Sequence, residues 1–292
     1  MLCAFNPFTY TRSFSANCYY LPVCKRPNLF LLTEATVKEI VIEYEGEKCA
    51  ARGVLVRCDG EDFIVRASRE VVLSAGSIQS PQLLELSGIG NPEILKAAGI
   101  EAKVCNPNVG ENLQDHFMTK TVYEVQTPPD SEGSDLPPSQ TVGSPVEISN
   151  IKAPAKAYLP CPVAYCPIFK MVTSQELAGL TAHIRQKIME SKDVREAKLR
   201  QSFLPGKMLG AVEFVWDGEA NWNPDFKGEP GKRYGTLLQM LQYPFSRGSV
   251  HIQPMRGSKA TTIDDKPTID PRYFAGDGKI DFEVMKAGPD IR

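Results

Sequence analysis

The chain has 292 residues, enough to bury a sizeable core in one large or two ordinary domains. Its 33 Lys and Arg residues nearly balance 35 Asp and Glu residues, and the net charge of -2 gives no reason to expect nucleic acid or an anionic membrane as a partner. No apolar run approaches the roughly 18 residues of a membrane helix, and the eight cysteines include no Cys-x-x-Cys pair that would indicate a zinc site.

The first third of the chain predicts a small antiparallel sheet. After a polar and aromatic stretch over residues 1–25, β-branched and aromatic residues dominate. The predicted strands are Leu29–Leu32, Val37–Glu43, Ala51–Arg57 and Phe63–Arg66. Asp59-Gly60 between the last two is typical of a tight hairpin turn. This pattern indicates a β-meander that leads into the next segment.

That next segment predicts a strand, a turn of small residues and a helix. Val71–Leu73 is apolar enough for a buried strand, and the small residues Ser74–Ser77 follow it. Ser80 can cap a helix whose first position is Pro81, and Gly88 can end it. In open α/β sheets ligands bind beyond the carboxyl ends of strands, at such turns. The residues alone leave a ligand site and a plain scaffold turn both open.

Further along, Asn91-Pro92 predicts the start of a short helix that Gly99 ends. Ile100–Val104 is predicted to return as a strand. Residues 126–150 are rich in Pro, Ser, Gly and Asp, so we expect an exposed and flexible excursion there.

The second half predicts one clear helix and several strands. Thr173 and Glu176 form a capping-box pattern, and the apolar residues that follow recur at helical spacing over Ser174–Glu190. The remaining predicted elements are strands at Ala211–Val215, Gly235–Gln242 and Gly248–Gln253, and a helix at Asp281–Ala287.

Residues Ser74–Gly90, SAGSIQSPQLLELSGIG, resemble the second signature of the glucose–methanol–choline (GMC) oxidoreductases, a family of FAD-dependent enzymes. Other segments resemble the same family in the same order, whereas residues 126–210 match it weakly. These segments are Thr11–Asn17, Arg26–Thr33 running into Val37, Val109–His116, and Pro244–His251 with Ile269–Tyr273. Ser15–Pro22 further resembles the fungal aryl-alcohol- and glucose-oxidase-like branches.

The resemblance implies a mixed α/β (α+β) fold with two domains. Residues 1–116 would be part of a three-layer FAD-binding domain. Residues 117–292 would be an antiparallel-sheet substrate domain, C-terminally incomplete, with the flexible excursion at 126–150. The family's Gly-x-Gly-x-x-Gly motif for the FAD pyrophosphate and its C-terminal catalytic His region are not found, so the chain is interpreted as an internal fragment.

The function implied by the resemblance is oxidation of the CH–OH group of a small alcohol, with hydride passing to FAD and a proton to histidine. This chain by itself is expected to be inactive and colourless. No residue is assigned a catalytic role, because His116, His183 and His251 do not match the catalytic histidine of the family. The alternatives are a non-catalytic remnant, or the same scaffold used as a lyase or cyclase.

Four residues are candidate FAD contacts, and no metal site is predicted. Val37 matches the family valine that meets the adenine end of FAD, partly through its backbone. Ser74, Ala75 and Gly76 match a turn that packs near the adenosine half. An ordinary strand valine and a turn held by small-residue packing remain the alternatives. The residues after Met1 do not resemble a signal peptide, and localisation stays open.

Overall fold

The computed structural model describes residues 13–46, 48–125, 163–191, 194–207, 209–217, 226–230 and 232–287. They form two compact units that both combine helices with antiparallel sheet, in agreement with the predicted fold class. The first unit comprises the described residues within Phe30–Asp115 and Pro244–Asp281, and the second comprises those within 13–29, 116–243 and 282–287. The assignment of 1–116 to a cofactor domain and 117–292 to a substrate domain stays a prediction. The predicted excursion at 126–150 lies outside the described residues.

The predicted β-meander of the first unit is confirmed, with longer strands. β1 (Ala35–Glu45), β2 (Lys48–Cys58) and β3 (Glu61–Arg66) pair antiparallel in that order. Asp59 and Gly60 both have positive φ, 53° and 82°, as a two-residue hairpin turn that matches the strand twist requires. The local pattern therefore suffices to define this sheet.

Two other predicted strands are wrong. Leu29–Leu32 and Val71–Leu73 have no strand structure, and no described strand pairs with either segment. A strand is defined by hydrogen bonds to a neighbouring strand, so an apolar sequence cannot form one by itself. Without a covering layer among the described residues, Val72 is 75% exposed.

Helix α1 (Gly76–Leu86) begins earlier than predicted. Ala75 is its N-cap residue and makes no side-chain cap hydrogen bond, so Ser80 is not the cap. Pro81 lies inside the helix instead of at its first position. Inside the helix, its missing N–H removes one intrahelical hydrogen bond. The reason is Gly76, whose φ of +89° lets the chain turn into the helix before Ser80 is reached. Gly88, with φ +83°, ends the helix as predicted.

Helix α2 (Pro92–Ala97) is confirmed. The Asn91 side chain caps it by accepting a hydrogen bond of 3.0 Å from the Glu93 N–H. Short strands flank it: β4 (Ile89–Gly90) pairs parallel with β5 (Val104–Cys105), so the predicted strand at 100–104 is reduced to its end.

The core of the first unit lies between these helices and a second small sheet. That sheet has the order β12 (Thr268–Asp270), β11 (Gly248–His251), β6 (Glu111–Leu113). Leu86, Leu95, Ala98 and Ile252 form a buried apolar cluster that joins α1 and α2 to the residue after β11. The core of the first unit therefore depends on contacts between residues that lie more than 150 positions apart in the sequence.

The second unit contains an antiparallel sheet of order β7-β10-β9-β8, which confirms two predicted strands with shifted ends. Its strands are β7 (Met118–Val125), β8 (Val163–Cys166), β9 (Val212–Asp217) and β10 (Arg233–Leu241). Helices α3 (Ser174–Glu190) and α4 (Val194–Gln201) lie between β8 and β9 in the chain, and helix α5 (Lys279–Ala287) comes after β12. Among the described helices, none is both long and apolar enough to cross a membrane.

Helix α3 has the predicted bounds because its start is fixed locally. The Glu176 N–H donates to Thr173 Oγ1, and the Thr173 N–H donates to Glu176 Oε2 at 2.9 Å. Thr173→Ala is expected to lower the free energy of unfolding by about 1 kcal/mol, because it removes the acceptor for the Glu176 N–H. Urea unfolding followed by circular dichroism measures this, with Thr173→Ser as the control that retains the acceptor. Equal losses in both variants would contradict the capping role.

Candidate functional site

Three of the four predicted cofactor contacts line one cavity of the first unit. This cavity has a volume of about 370 Å³ and lies between β1 and the turn that precedes α1. Val37, Ser74 and Ala75 contribute to its wall, together with Ala35, Thr36, Ile40, Val54, Val71, Val72, Leu73, Gln79, Leu83 and Ile263. The fold therefore brings together candidate residues that lie 37 positions apart in the sequence.

A β-bulge adjoins Val37 on β1. Val37 pairs with Val56 and Glu39 pairs with Leu55, so Lys38 is left without a partner in the ladder. A bulge bends its strand and changes the direction of nearby side chains, and bulges are frequent next to functional sites. Lys38 is held by a salt bridge of 2.5 Å from its Nζ to Asp62 Oδ2 on β3.

Gly76 does not line this cavity. It lies with Ala75 in a neighbouring cavity of about 570 Å³, formed by the start of α1 and by residues 263–269. A Cβ built on Gly76 would meet nothing within 4 Å, so the glycine does not make room for a close ligand. The structure instead requires glycine for its left-handed φ of +89°.

The chemistry of the 370 Å³ cavity fits a flat, weakly polar ring better than a charged group. Most of its wall is aliphatic, and Thr36, Ser74 and Gln79 are its polar side chains. Ligand sites of this kind bury apolar surface and orient the ligand with a few polar groups. The adenine ring of FAD has this character. A pyrophosphate needs several converging N–H groups or cations, and no lysine or arginine lines the cavity.

Sequence reasoning missed Ile263, which lines both cavities. Its loop is fastened to α1 because Gln82 Nε2 donates to the Asp265 carbonyl at 2.9 Å. Asp265 Oδ2 accepts hydrogen bonds from the Thr262 N–H and hydroxyl, each 3.0 Å, and these bonds lower the pKa of Asp265. Thr262-x-x-Asp265 is a local turn signal, but nothing in the sequence links it to α1.

The three histidines lie in different surroundings. His116 is exposed, and His183 is half-buried on α3. His251, on β11, is in contact with Glu85 and Glu111. Among the described residues, no group of three or more His, Cys, Asp or Glu side chains is arranged to hold a metal ion.

Comparison with known proteins supports the family suggested by the sequence. A family model described as "GMC oxidoreductase" matches residues 2–118. "Dehydrogenase mpl7" of Monascus purpureus is 49% identical over 307 aligned residues, which cover 96% of this chain and 47% of that protein. "GMC oxidoreductase family protein Mala s 12" of Malassezia sympodialis is 30% identical over 95% of this chain and 41% of its own length. The chain thus spans about half the length of the curated relatives it matches.

Solved structures show the same fold. An FAD-dependent oxidoreductase from Chaetomium thermophilum superimposes with a TM-score of 0.68 at 21% identity, covering 98% of this chain and 48% of that one. A fungal aryl-alcohol oxidase gives a TM-score of 0.64 at 23% identity, with the same coverage of both chains. These structures show the fold, whereas the family-model match over residues 2–118 and the relatives at 49% and 30% identity show that the chain belongs to the GMC oxidoreductase family.

Proposed function

We propose that this chain forms part of an FAD-dependent oxidoreductase that acts on the CH–OH group of a small alcohol. The observation that carries the proposal is the 370 Å³ cavity, in which Val37 of β1 faces the same space as Ser74 and Ala75. Family membership supports the cofactor, and the resemblance to alcohol-oxidising members supports the substrate class. Bound FAD supplies the hydride acceptor that the protein side chains lack.

Within this proposal, the chain's own residues bind and orient the adenine end of the cofactor. Val37 and Leu83 contribute aliphatic surface to cover the ring, and Ser74 and Gln79 contribute groups able to make hydrogen bonds at its edge. The cavity residues hold no proton-transfer group, since neither His nor a carboxylate lines it. No described residue is therefore assigned to the chemical step.

Binding of adenosine monophosphate by the full 292-residue chain tests the adenine site. Val37→Asp is expected to weaken this binding about tenfold or more, because a carboxylate in a mainly aliphatic cavity must stay hydrated or lose solvation. Isothermal titration calorimetry measures the dissociation constant. Val65→Asp is the matched control, since Val65 lies on β3, is 45% exposed and does not line the cavity. Unchanged affinity in Val37→Asp would contradict the assignment.

A second candidate, the non-catalytic remnant, is favoured by exposed apolar surface. Phe30, Leu31 and Val72 of the first unit are 88%, 61% and 75% exposed. Large exposed apolar patches indicate a covering partner or a tendency to aggregate. These residues belong to the two segments that lack a described strand partner, so the exposure and the missing pairing have the same origin.

Purification in the presence of excess FAD tests the non-catalytic remnant. We expect the isolated chain to be colourless and inactive towards alcohols, because it has no Gly-x-Gly-x-x-Gly turn for the pyrophosphate. A stable yellow protein that forms an aldehyde or ketone from an alcohol would exclude the remnant and support the oxidoreductase directly.

A further inference from the structure

A histidine lies between two carboxylates in the first unit, outside both cavities. His251 Nδ1 is 2.7 Å from Glu85 Oε1, and His251 Nε2 is 3.1 Å from Glu111 Oε1. The three side chains come from β11, α1 and β6. This cluster therefore connects helix α1 to strands β11 and β6 of the small sheet.

Making both contacts at once needs two ring hydrogens, whereas one contact alone needs only one. A carboxylate only accepts hydrogen bonds, so each ring nitrogen must carry a hydrogen to bond its carboxylate. A neutral imidazole has one N–H and one lone pair, whereas the imidazolium has two N–H groups. Only the charged ring can bond Glu85 and Glu111 at once. In the neutral ring, one lone pair faces a carboxylate oxygen and repels it.

Burial decides which contact survives when the ring has one hydrogen. The Glu85 side chain is fully buried, and its other oxygen accepts a hydrogen bond of 2.8 Å from the Ile252 N–H. The Glu111 side chain is 39% exposed and can exchange its contact for water. A buried carboxylate oxygen without a partner is the costlier loss. Burial also raises the pKa of Glu85, against the lowering effect of its hydrogen bonds to Ile252 and His251.

The loop that ends at β6, just before Glu111, is packed closely against the histidine. Gly110 accepts a hydrogen bond of 2.7 Å from the Val250 N–H, and a side chain at Gly110 would collide with the Val250 carbonyl and the His251 ring. The charged groups that face the ring are Glu85 from α1 and Glu111 from β6. On β12 the residue opposite His251 is the uncharged Thr268.

We propose that His251 is a proton-operated latch between α1 and the loop ending in β6. With two ring hydrogens it bonds Glu85 and Glu111 and closes the loop against β11. With one, it keeps Nδ1–H bonded to Glu85 and releases Glu111 into solvent. The loop is then held by its backbone hydrogen bonds to β11 alone.

Nitrogen-15 NMR of the histidine rings in the full chain tests the latch directly. The chain has three histidines, and His251→Gln identifies the signals of this one. We expect both ring nitrogens of His251 to carry hydrogens at the acidic end of a pH series and only Nδ1 to carry one at its alkaline end. A hydrogen on Nε2 instead of Nδ1 at the higher pH would overturn the proposal, as would a ring that keeps one protonation state throughout.

Amide exchange at Val250 tests the consequence for the loop. After correction for intrinsic exchange rates, protection of this amide should fall about tenfold as the ring loses one hydrogen, the equivalent of one charge-assisted hydrogen bond. Glu111→Gln should abolish this pH dependence, because a Gln amide can accept from N–H and donate to the lone pair. Glu101→Gln changes an exposed glutamate in the loop before β5 and serves as the control. The same fall in Glu111→Gln as in the unmodified chain would refute the latch.

Discussion

Gly110→Ala is expected to lower the free energy of unfolding of the first unit by about 3 kcal/mol or more, from backbone strain and steric overlap together. Gly110 has a φ of +78°, a conformation that costs any other L-residue energy. A methyl group there would also overlap the Val250 carbonyl, which is part of β11 and cannot rotate away. The loop must therefore leave β11, and the Val250 N–H would lose its bond to Gly110.

Gly60→Ala is the matched control. Gly60 has a similar φ of +82°, but a Cβ there would meet nothing within 4 Å. Gly60→Ala therefore measures the effect of backbone strain alone, which is expected to lower the free energy of unfolding by about 1 kcal/mol. Urea unfolding followed by far-ultraviolet circular dichroism measures the free energy of unfolding of both variants. Equal losses in Gly110→Ala and Gly60→Ala would contradict the close approach of the loop to β11.

Asp281→Ala is expected to lower the free energy of unfolding by about 3 kcal/mol, because it leaves two buried backbone donors without an acceptor. Asp281 Oδ1 accepts from the Phe245 N–H at 2.7 Å, and Oδ2 accepts from the Ser246 N–H at 2.8 Å and the Ser246 hydroxyl at 2.6 Å. All three residues are almost fully buried, so water cannot replace the carboxylate. Asp281→Asn keeps one oxygen acceptor and should lose about half as much. If Asp281→Ala and Asp281→Asn were equally stable, the hydrogen bonds to the carboxylate would not contribute as described.

Asp281 also makes the stability of the fold depend on pH. Burial raises the pKa of Asp281, and this effect outweighs its hydrogen bonds to Phe245 and Ser246 and the charge of Arg247. The folded chain therefore binds the proton at pH values where the unfolded chain has released it. The contribution to stability is fully present below the ordinary carboxyl pKa and is lost as the pH rises through the raised value. The unfolding free energy of the unmodified chain minus that of Asp281→Asn should therefore be largest at low pH and should decrease as the pH rises through the raised pKa.

Local sequence signals predicted those elements whose deciding interactions are also local. The start of α3 follows from Thr173 and Glu176, which bond each other across three positions. The β2–β3 hairpin follows from Asp59-Gly60, whose positive φ values suit the turn. In both cases a few neighbouring residues contain all the atoms that fix the geometry, so no knowledge of the rest of the fold is needed.

Elements that depend on distant partners, or on a choice between two local signals, were not predicted correctly. Val71–Leu73 has the composition of a buried strand but no described strand beside it. The start of α1 depended on a left-handed glycine, Gly76, which competes with the local cap signal at Ser80. A capping pattern states where a helix is able to begin, and the path of the preceding chain decides whether it does so there.

The sequence by itself determined the family, the meander, α3 and three residues, Val37, Ser74 and Ala75, that line one cavity. Only the tertiary structure decided that Ile263 completes this cavity and that His251 meets Glu85 and Glu111. The physical reason is sequence separation. His251 lies 166 positions from Glu85 and 140 positions from Glu111. Contacts over such distances leave no periodic or spacing pattern, because the packing of whole elements, and not the neighbouring residues, brings the atoms together.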